Sequence, residues 1–242
     1  MNIIWSTVAS ERLERHPDLP APILLSPLRS ARRMRLRYDA ARHLLKVTYP
    51  RGLSRRAVLS WATGHRDWID RQITEAPAAE PFAPGATIPI DGADVLLVQV
   101  EGAGRSPLLA EGRLVVGGPA SAFPGRIERF LKRLALETLS RETAEVAARA
   151  GIAPASVGIG DAATRWGSCS SARRIRYSWR LILAPAEARQ FVVAHEVAHL
   201  IELNHGPKFK QVERDLFGGD VAEARALLRA WGPRLKGIGR RG

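Results

Sequence analysis

Val193-Ala-His-Glu-Val-Ala-His199, continued by Leu200-Ile-Glu-Leu-Asn-His205-Gly-Pro-Lys-Phe209, is the stretch around which the rest of the chain is read. Residues four apart lie one turn apart on a helix face, so a helix here brings His195 and His199 onto one metal ion, the spacing of a zinc clip. Glu196 is turned about 100° around the axis, outside the coordination sphere yet within reach of a water held on the metal. Phe191, Val192, Val193, Val197, Leu200 and Ile201 are expected to bury the rest of the helix. A hydrolytic zinc takes three protein ligands and leaves the fourth position to water. The third ligand is expected to be His205, because Asn204 suits a left-handed helix end and Gly206-Pro207 prevents simple continuation. Glu213 and Glu223 are the carboxylates that would replace it in a site with two histidines. The six-residue step from His199 to His205 also occurs in metzincins. That pattern fails here, since Glu202 stands where its glycine belongs and the only methionines are Met1 and Met34.

Outward from this stretch, Pro185 is placed for the first turn of the histidine helix. Before it, Ile175, Tyr177, Trp179, Leu181 and Leu183 alternate strictly, which predicts a half-buried strand paired across the turn at 171–174. A short strand is expected at 156–160. A long helix from Pro124-Gly125 to about Ala150, stopped by Gly151, should pack under the histidine helix. Towards the carboxyl end, Asp220-Val-Ala-Glu223 offers a cap for a helix that Gly232-Pro233 closes. In the first half, 86–90, 95–100 and 114–116 read as a β meander after a proline-rich break at 76–85. Met34 to Asp39 and His43 to Tyr49 read as a hairpin, and a helix capped by Ser54 carries Val58, Trp61, Trp68, Ile69 and Ile73. The two tryptophans and the lone His65 are read as structural. Residues 1–30 form a lead-in whose four prolines argue against a long helix. Cys169 is read as a small packed residue.

The chain has 242 residues, 45% of them hydrophobic, which is enough for a large core. No apolar run approaches the roughly 20 residues of a membrane helix. No export signal is expected at the start, and a single cysteine excludes an internal disulfide and any multi-cysteine zinc site, so the cytoplasm is the expected location. A net charge of +13 favours an anionic partner such as nucleic acid or a phosphate-bearing substrate, or else reflects a solvated arginine surface. Arg29, Arg32, Arg33, Arg35, Arg37, Arg42, Lys46, Arg51, Arg55 and Arg56 concentrate that charge, with Arg33, Arg35 and Arg37 on one strand face. The chain contains no Gly-rich Lys-Ser/Thr phosphate loop.

Thr164-Arg-Trp-Gly-Ser-Cys-Ser-Ser171, Tyr177-Ser-Trp-Arg-Leu-Ile-Leu-Ala-Pro185, Val192-Val-Ala-His-Glu-Val-Ala-His-Leu200, Asn204-His205 and Phe209 follow one another in an order that resembles the YgjP-like metallopeptidase family. The likeness is strongest over about 125–235 and looser at 32–49, 68–69 and 81–85. It implies a zincin-like catalytic region, with His195, His199 and His205 as zinc ligands and Glu196 as catalytic base. His205-Gly-Pro-Lys-Phe209 is also similar to the end of the metal motif in SprT-like proteases, some of which act on proteins crosslinked to DNA. Members of the YgjP-like group have also been assigned a nucleoside triphosphate pyrophosphatase activity.

The expectation is therefore an α+β protein, with a β-rich region with one helix over 1–120 and a zincin-like metallohydrolase domain over 121–242. Its expected function is zinc-dependent cleavage of a protein or peptide by metal-activated water, with no membrane partner. Arg165, Tyr177 and Lys208 are the candidate substrate-binding residues, and the strand around 166–170 offers an edge to an extended peptide. The alternatives are a metal-dependent nucleoside triphosphate pyrophosphatase, or a nucleic-acid-binding module with a structural zinc.

Overall fold

The computed structural model describes residues 12–40, 43–76, 78–102, 104, 106–162 and 165–240. The lead-in through residue 11, Arg42 of the basic series and Thr164 of the 164–171 motif lie outside them. By its contacts the chain divides into Met1–Pro77 and Ala78–Gly242. That division falls ahead of residue 120, because Ile88, Leu97, Leu114 and Val116 share one core with Phe123, Ile127 and the later helices.

In the first unit β1 (Arg12–Glu14), β2 (Ile23–Leu28), β3 (Arg35–Asp39) and β4 (Leu44–Pro50) form a sheet in the order β1-β2-β4-β3. β3 and β4 are the expected antiparallel hairpin, with Leu36 opposite Val47. β1 and β2 are additions. The prolines of the lead-in spoke only against helix, and Pro27 sits near the end of β2 where it pairs with Tyr49 of β4 in parallel. Alternation sends Ile23, Leu25, Leu45, Val47 and Tyr49 inward, while Arg35 and Arg37 project from one exposed face of β3.

Ser54 caps α1 (Arg55–Thr63) as expected, its Oγ accepting from the Ala57 N–H at 3.2 Å. The helix then breaks at Gly64-His65 and restarts as α2 (Arg66–Thr74). Val58 and Ile69 are buried, with Trp61 and Trp68 packed against the same core. The His65 ring bonds to the Trp61 carbonyl at 2.7 Å, in keeping with a structural role.

The second unit begins with β5 (Thr87–Ile90), β6 (Ala93–Val100), β7 (Leu108–Ala110) and β8 (Arg113–Gly117), ordered β5-β6-β8-β7. This is not a meander. β8 runs parallel to β6, and β7 forms a hairpin with β8 through Glu111-Gly112, both at positive φ. α3 (Phe123–Arg149) has Ile127, Leu131, Ala135 and Leu139 along its buried face, and Gly151 follows its end at φ 65°. β9 (Ser156–Gly160), β10 (Gly167–Cys169) and β11 (Arg174–Ser178) make a second sheet, ordered β10-β11-β9.

The strand expected to run to Leu183 stops at Ser178. Residues Trp179–Leu183 form a 3₁₀ turn buried throughout. Arg180 upset the alternation because it does not face water: its guanidinium bonds Asp161 at 2.9 Å, the Leu235 carbonyl at 3.0 Å and the Ile238 carbonyl.

α4 (Ala186–Ala198), α5 (Pro207–Phe217) and α6 (Val221–Gly237) complete the unit. Asp220 caps α6, accepting from Ala222 and Glu223. α6 continues through Pro233 rather than closing there, with Gly232 against the Trp166 ring. α3 and α4 are tied by Arg189 and Glu142, both almost fully buried, at 2.8 Å. The same guanidinium reaches Asp91 in the β5–β6 turn. The fold is thus mixed α+β, β-rich at the start and helical later.

Candidate metal centre

The histidine helix ends sooner than its pattern suggested. α4 stops at Ala198 with His199 as its C-cap, so Ile201 is exposed instead of buried. Asn204 is not left-handed, and Gly206 is the N-cap of α5 with Pro207 as its first residue. The return of the chain comes from this second helix start.

The result is convergence. One ring nitrogen each from His195, His199 and His205 lies within 4.8 Å of the others, and Nε2 of His205 is 3.3 Å from Nε2 of His195. Ring centroids are 4.6 to 5.2 Å apart, and Phe209 stands against all three imidazoles at 4.5 to 5.1 Å.

Two of the rings are held from behind. Nδ1–H of His195 donates to Oε1 of Glu213 at 2.7 Å, and Nδ1–H of His199 donates to the Glu202 carbonyl at 3.2 Å. Each such bond leaves the Nε2 lone pair for a metal. Glu213 is therefore not a replacement ligand. It orients His195 and is itself gripped by Arg225 at 2.8 and 3.1 Å. Glu223 sits in the first turn of α6, outside the cluster. Burial pushes the His195 and His199 pKa values down, against the Glu213 carboxylate and the Glu202 carbonyl that favour the charged form. Neutral imidazole is the form that binds metal.

Glu196 is 4% exposed, and its Oε2 has no hydrogen-bond partner. Burial pushes its carboxyl up to about 7, with the Arg165 charge pulling the other way. Its carboxylate rests on Gly167 of β10, where any β-carbon would collide with it. Of the other candidates, Arg165 is exposed and near enough for its charge to act on Glu196. Lys208 is also exposed, 3.8 Å from Glu202. Tyr177 is 1% exposed, and its hydroxyl meets Thr143 Oγ1 at 2.9 Å. Burial pushes its phenol well up, so it stays neutral. Cys169 is half-buried and its thiol is likewise pushed up by burial, in keeping with packing.

Sequence reasoning missed the orienting role of Glu213, the seat that Gly167 gives Glu196, and Arg225. The Trp166-Gly167-Ser168 motif was the one available signal for the glycine. Nothing in the local sequence marks Arg225, which acts from a different helix.

The three imidazoles, two with their tautomers fixed from behind, form a donor set that can hold a divalent metal ion. Among the described residues no helix is long and apolar enough to cross a membrane. No curated protein and no solved structure matches the chain. A family model described as the YgjP-like metallopeptidase domain matches residues 32–230, which takes in the whole cluster and most of both units. With its metal-ready histidines and a family of metal-dependent peptidases behind the match, the chain belongs to the YgjP-like metallopeptidases.

Proposed function

We propose that the protein is a zinc metallopeptidase of the HExxH kind, with 121–242 as its zincin-like catalytic region. In this reading His195, His199 and His205 are the zinc ligands and Glu196 is the catalytic base. The observation that carries it is the meeting of three imidazole nitrogens beside a buried carboxylate with one oxygen unpartnered.

Nε2 of His195 and of His205 are 3.3 Å apart, a separation that two nitrogen ligands of a tetrahedral zinc can take. When bound, the ion supplies Lewis acidity, which polarises a carbonyl and acidifies water.

The chain's own residues do the rest. Glu196, at its free Oε2, takes the proton from the attacking water and passes it to the leaving amine. Gly167 keeps that carboxylate in place by leaving room for it and for nothing else. β10 bonds only to β11, so among the described residues its other edge is open to the backbone of an extended peptide. Arg165 and Lys208 supply positive charge for the developing oxyanion. A single cysteine fits work in a reducing compartment such as the cytoplasm.

The test is to incubate zinc-loaded protein and its Glu196→Gln variant with an unfolded protein and, in parallel, with a panel of nucleotides. The expected outcome is proteolysis that falls on the order of 10²–10⁴-fold in the variant, with zinc content unchanged by metal analysis. Undiminished proteolysis in the variant would remove Glu196 from the reaction. Phosphate release without proteolysis would remove the peptidase reading.

A further inference from the structure

The outward face of the sheet β10-β11-β9 carries a feature that peptide-bond chemistry does not use. Arg176 pairs with Ser168 on one side and Gly158 on the other, and its guanidinium lies over Gly160. A β-carbon on Gly160 would fall 2.7 Å from Arg176 Nε, so the arginine has a bed that only glycine leaves clear.

At this end of the sheet is a cavity of about 290 Å³ whose walls include Asp161, Arg165, Trp166, Gly167, Ser168 and Arg176. Its one acid is already committed, Asp161 being bonded to the buried Arg180 at 2.9 Å. Arg176 has no carboxylate partner among the described residues, whereas the charge of Arg165 acts on Glu196, so Arg176 is the uncompensated cation of the cavity. It lies at the low end of the roughly 300–1,000 Å³ of small-molecule pockets, with room for a side chain. Gly167 belongs to both places: it lines the cavity and carries the Glu196 carboxylate. A chain laid along β10 would therefore pass the cavity within a residue or two of the bond being cut.

Resting on the peptidase reading, we propose that this cavity is a specificity subsite for a carboxylate of the peptide substrate, held by Arg176, with Trp166 packing on its aliphatic stem. The carboxylate is a glutamate or aspartate side chain near the scissile bond or the carboxyl terminus of the peptide. Charge complementarity carries the assignment, since a guanidinium without a carboxylate partner favours a planar anion that it can bond in fork geometry.

The test uses matched fluorescent peptides that differ only by Glu, Gln or Lys at one position, each made with free and with amidated carboxyl ends. Binding to zinc-loaded Glu196→Gln protein is read by anisotropy, with Arg165 intact and with Arg176 wild-type, Gln or Glu. The Glu peptide is expected to bind about tenfold more tightly than the Gln peptide, which is one charged contact of about 1.4 kcal/mol. Arg176→Gln should flatten the series and Arg176→Glu should turn it towards Lys, with circular dichroism confirming that both variants fold. A preference for Glu that survives amidation assigns the subsite to a side chain, and tighter binding of free-ended than of amidated peptides whatever the side chain assigns it to the chain end. Equal binding of all three peptides with both kinds of end, or a preference unmoved by Arg176→Glu, overturns the subsite. Displacement by tripolyphosphate in the absence of any peptide preference overturns it in favour of a phosphate site. Cleavage by the wild-type protein separates the two readings: cleavage without charge preference sinks the subsite alone, and Arg176-dependent binding without any cleavage sinks the peptidase.

Discussion

Among the described residues the first unit keeps its arginines in water, whereas the second takes several of its charges inside. In the first unit Arg35 and Arg37 stand exposed on β3, and Arg55 meets Glu14 at the surface. Among the described residues every buried polar or charged group belongs to the second unit: Glu142, Thr143, Ser178, Arg180, Arg189, Glu196 and Glu213. Burying a charge costs several kcal/mol unless it is paired and hydrogen-bonded. Glu142 has Arg189, Arg180 has Asp161 and two carbonyls, and Glu213 has His195 and Arg225. Glu196 alone among these charged side chains keeps an oxygen without a partner. Paired burial builds the scaffold, and the unpaired carboxylate suits the proton-handling role proposed for Glu196.

One substitution made at two positions sharpens this contrast most. Glu142→Gln weakens a buried ion pair and leaves Arg189 with the half-exposed Asp91, so it should cost about 3 kcal/mol of stability. Glu196→Gln in metal-stripped protein removes a buried charge whose Oε2 has no hydrogen bond and should raise stability by roughly 1–2 kcal/mol. Urea midpoints for the two variants and the parent decide it. If both changes destabilise alike, Glu196 belongs to the scaffold and the contrast is broken.

A smaller effect is expected where scaffold and site meet. Glu213 is 2% exposed and acts on metal only through His195, so Glu213→Gln should leave the fold intact and loosen the metal about 10–100-fold. Competition with a coloured chelator measures that. Because Gln still accepts a hydrogen bond from Nδ1–H, Glu213→Gln should lose less than Glu213→Ala. An unchanged affinity in both would mean that the imidazole is held by packing on Phe191 and Phe209.

The motif residues were legible in sequence because helical spacing fixes them: two histidines four apart need no tertiary information to share a face. The long α3 and the Asp220 cap were equally local. What escaped depends on partners far along the chain. Arg180 reads as the outward member of an alternating strand until Asp161 and the carbonyls of Leu235 and Ile238 are seen around it. The parallel pairing of β6 with β8 cannot be told from a meander by composition, since both give short apolar runs between turns. α1 and α2 share one apolar periodicity, so the break at Gly64-His65 left no mark on it. Tyr177 was named by motif order, and strand alternation turns its hydroxyl inward to Thr143. The return of His205 was foreseen for the wrong reason, since the turn is made by α5 starting at Pro207 and not by a left-handed Asn204.

The least effect is expected at the rim of the scaffold, where Asp161 is half-exposed and its partner Arg180 is buried. Burial of Asp161 is the largest single influence and disfavours ionisation, but the hydrogen bond and charge of Arg180 outweigh it, so the carboxyl sits below its ordinary value of 3.8. A folded value below the unfolded one means that the pair stabilises fully above about pH 4 and that its contribution is lost as pH falls through the folded value. The thermal midpoint of Asp161→Asn should therefore lie below the parent's from neutral pH down to about pH 5, and the gap should close under stronger acid. Solvent on the exposed side screens the pair, so the gap should also narrow in high salt. Arg180 keeps its bonds to Leu235 and Ile238 in either protein, which limits the loss. A gap that ignores both pH and salt would make Asp161 a packing residue, and the rule that this unit's buried charges are held by opposite charge would fail at Arg180.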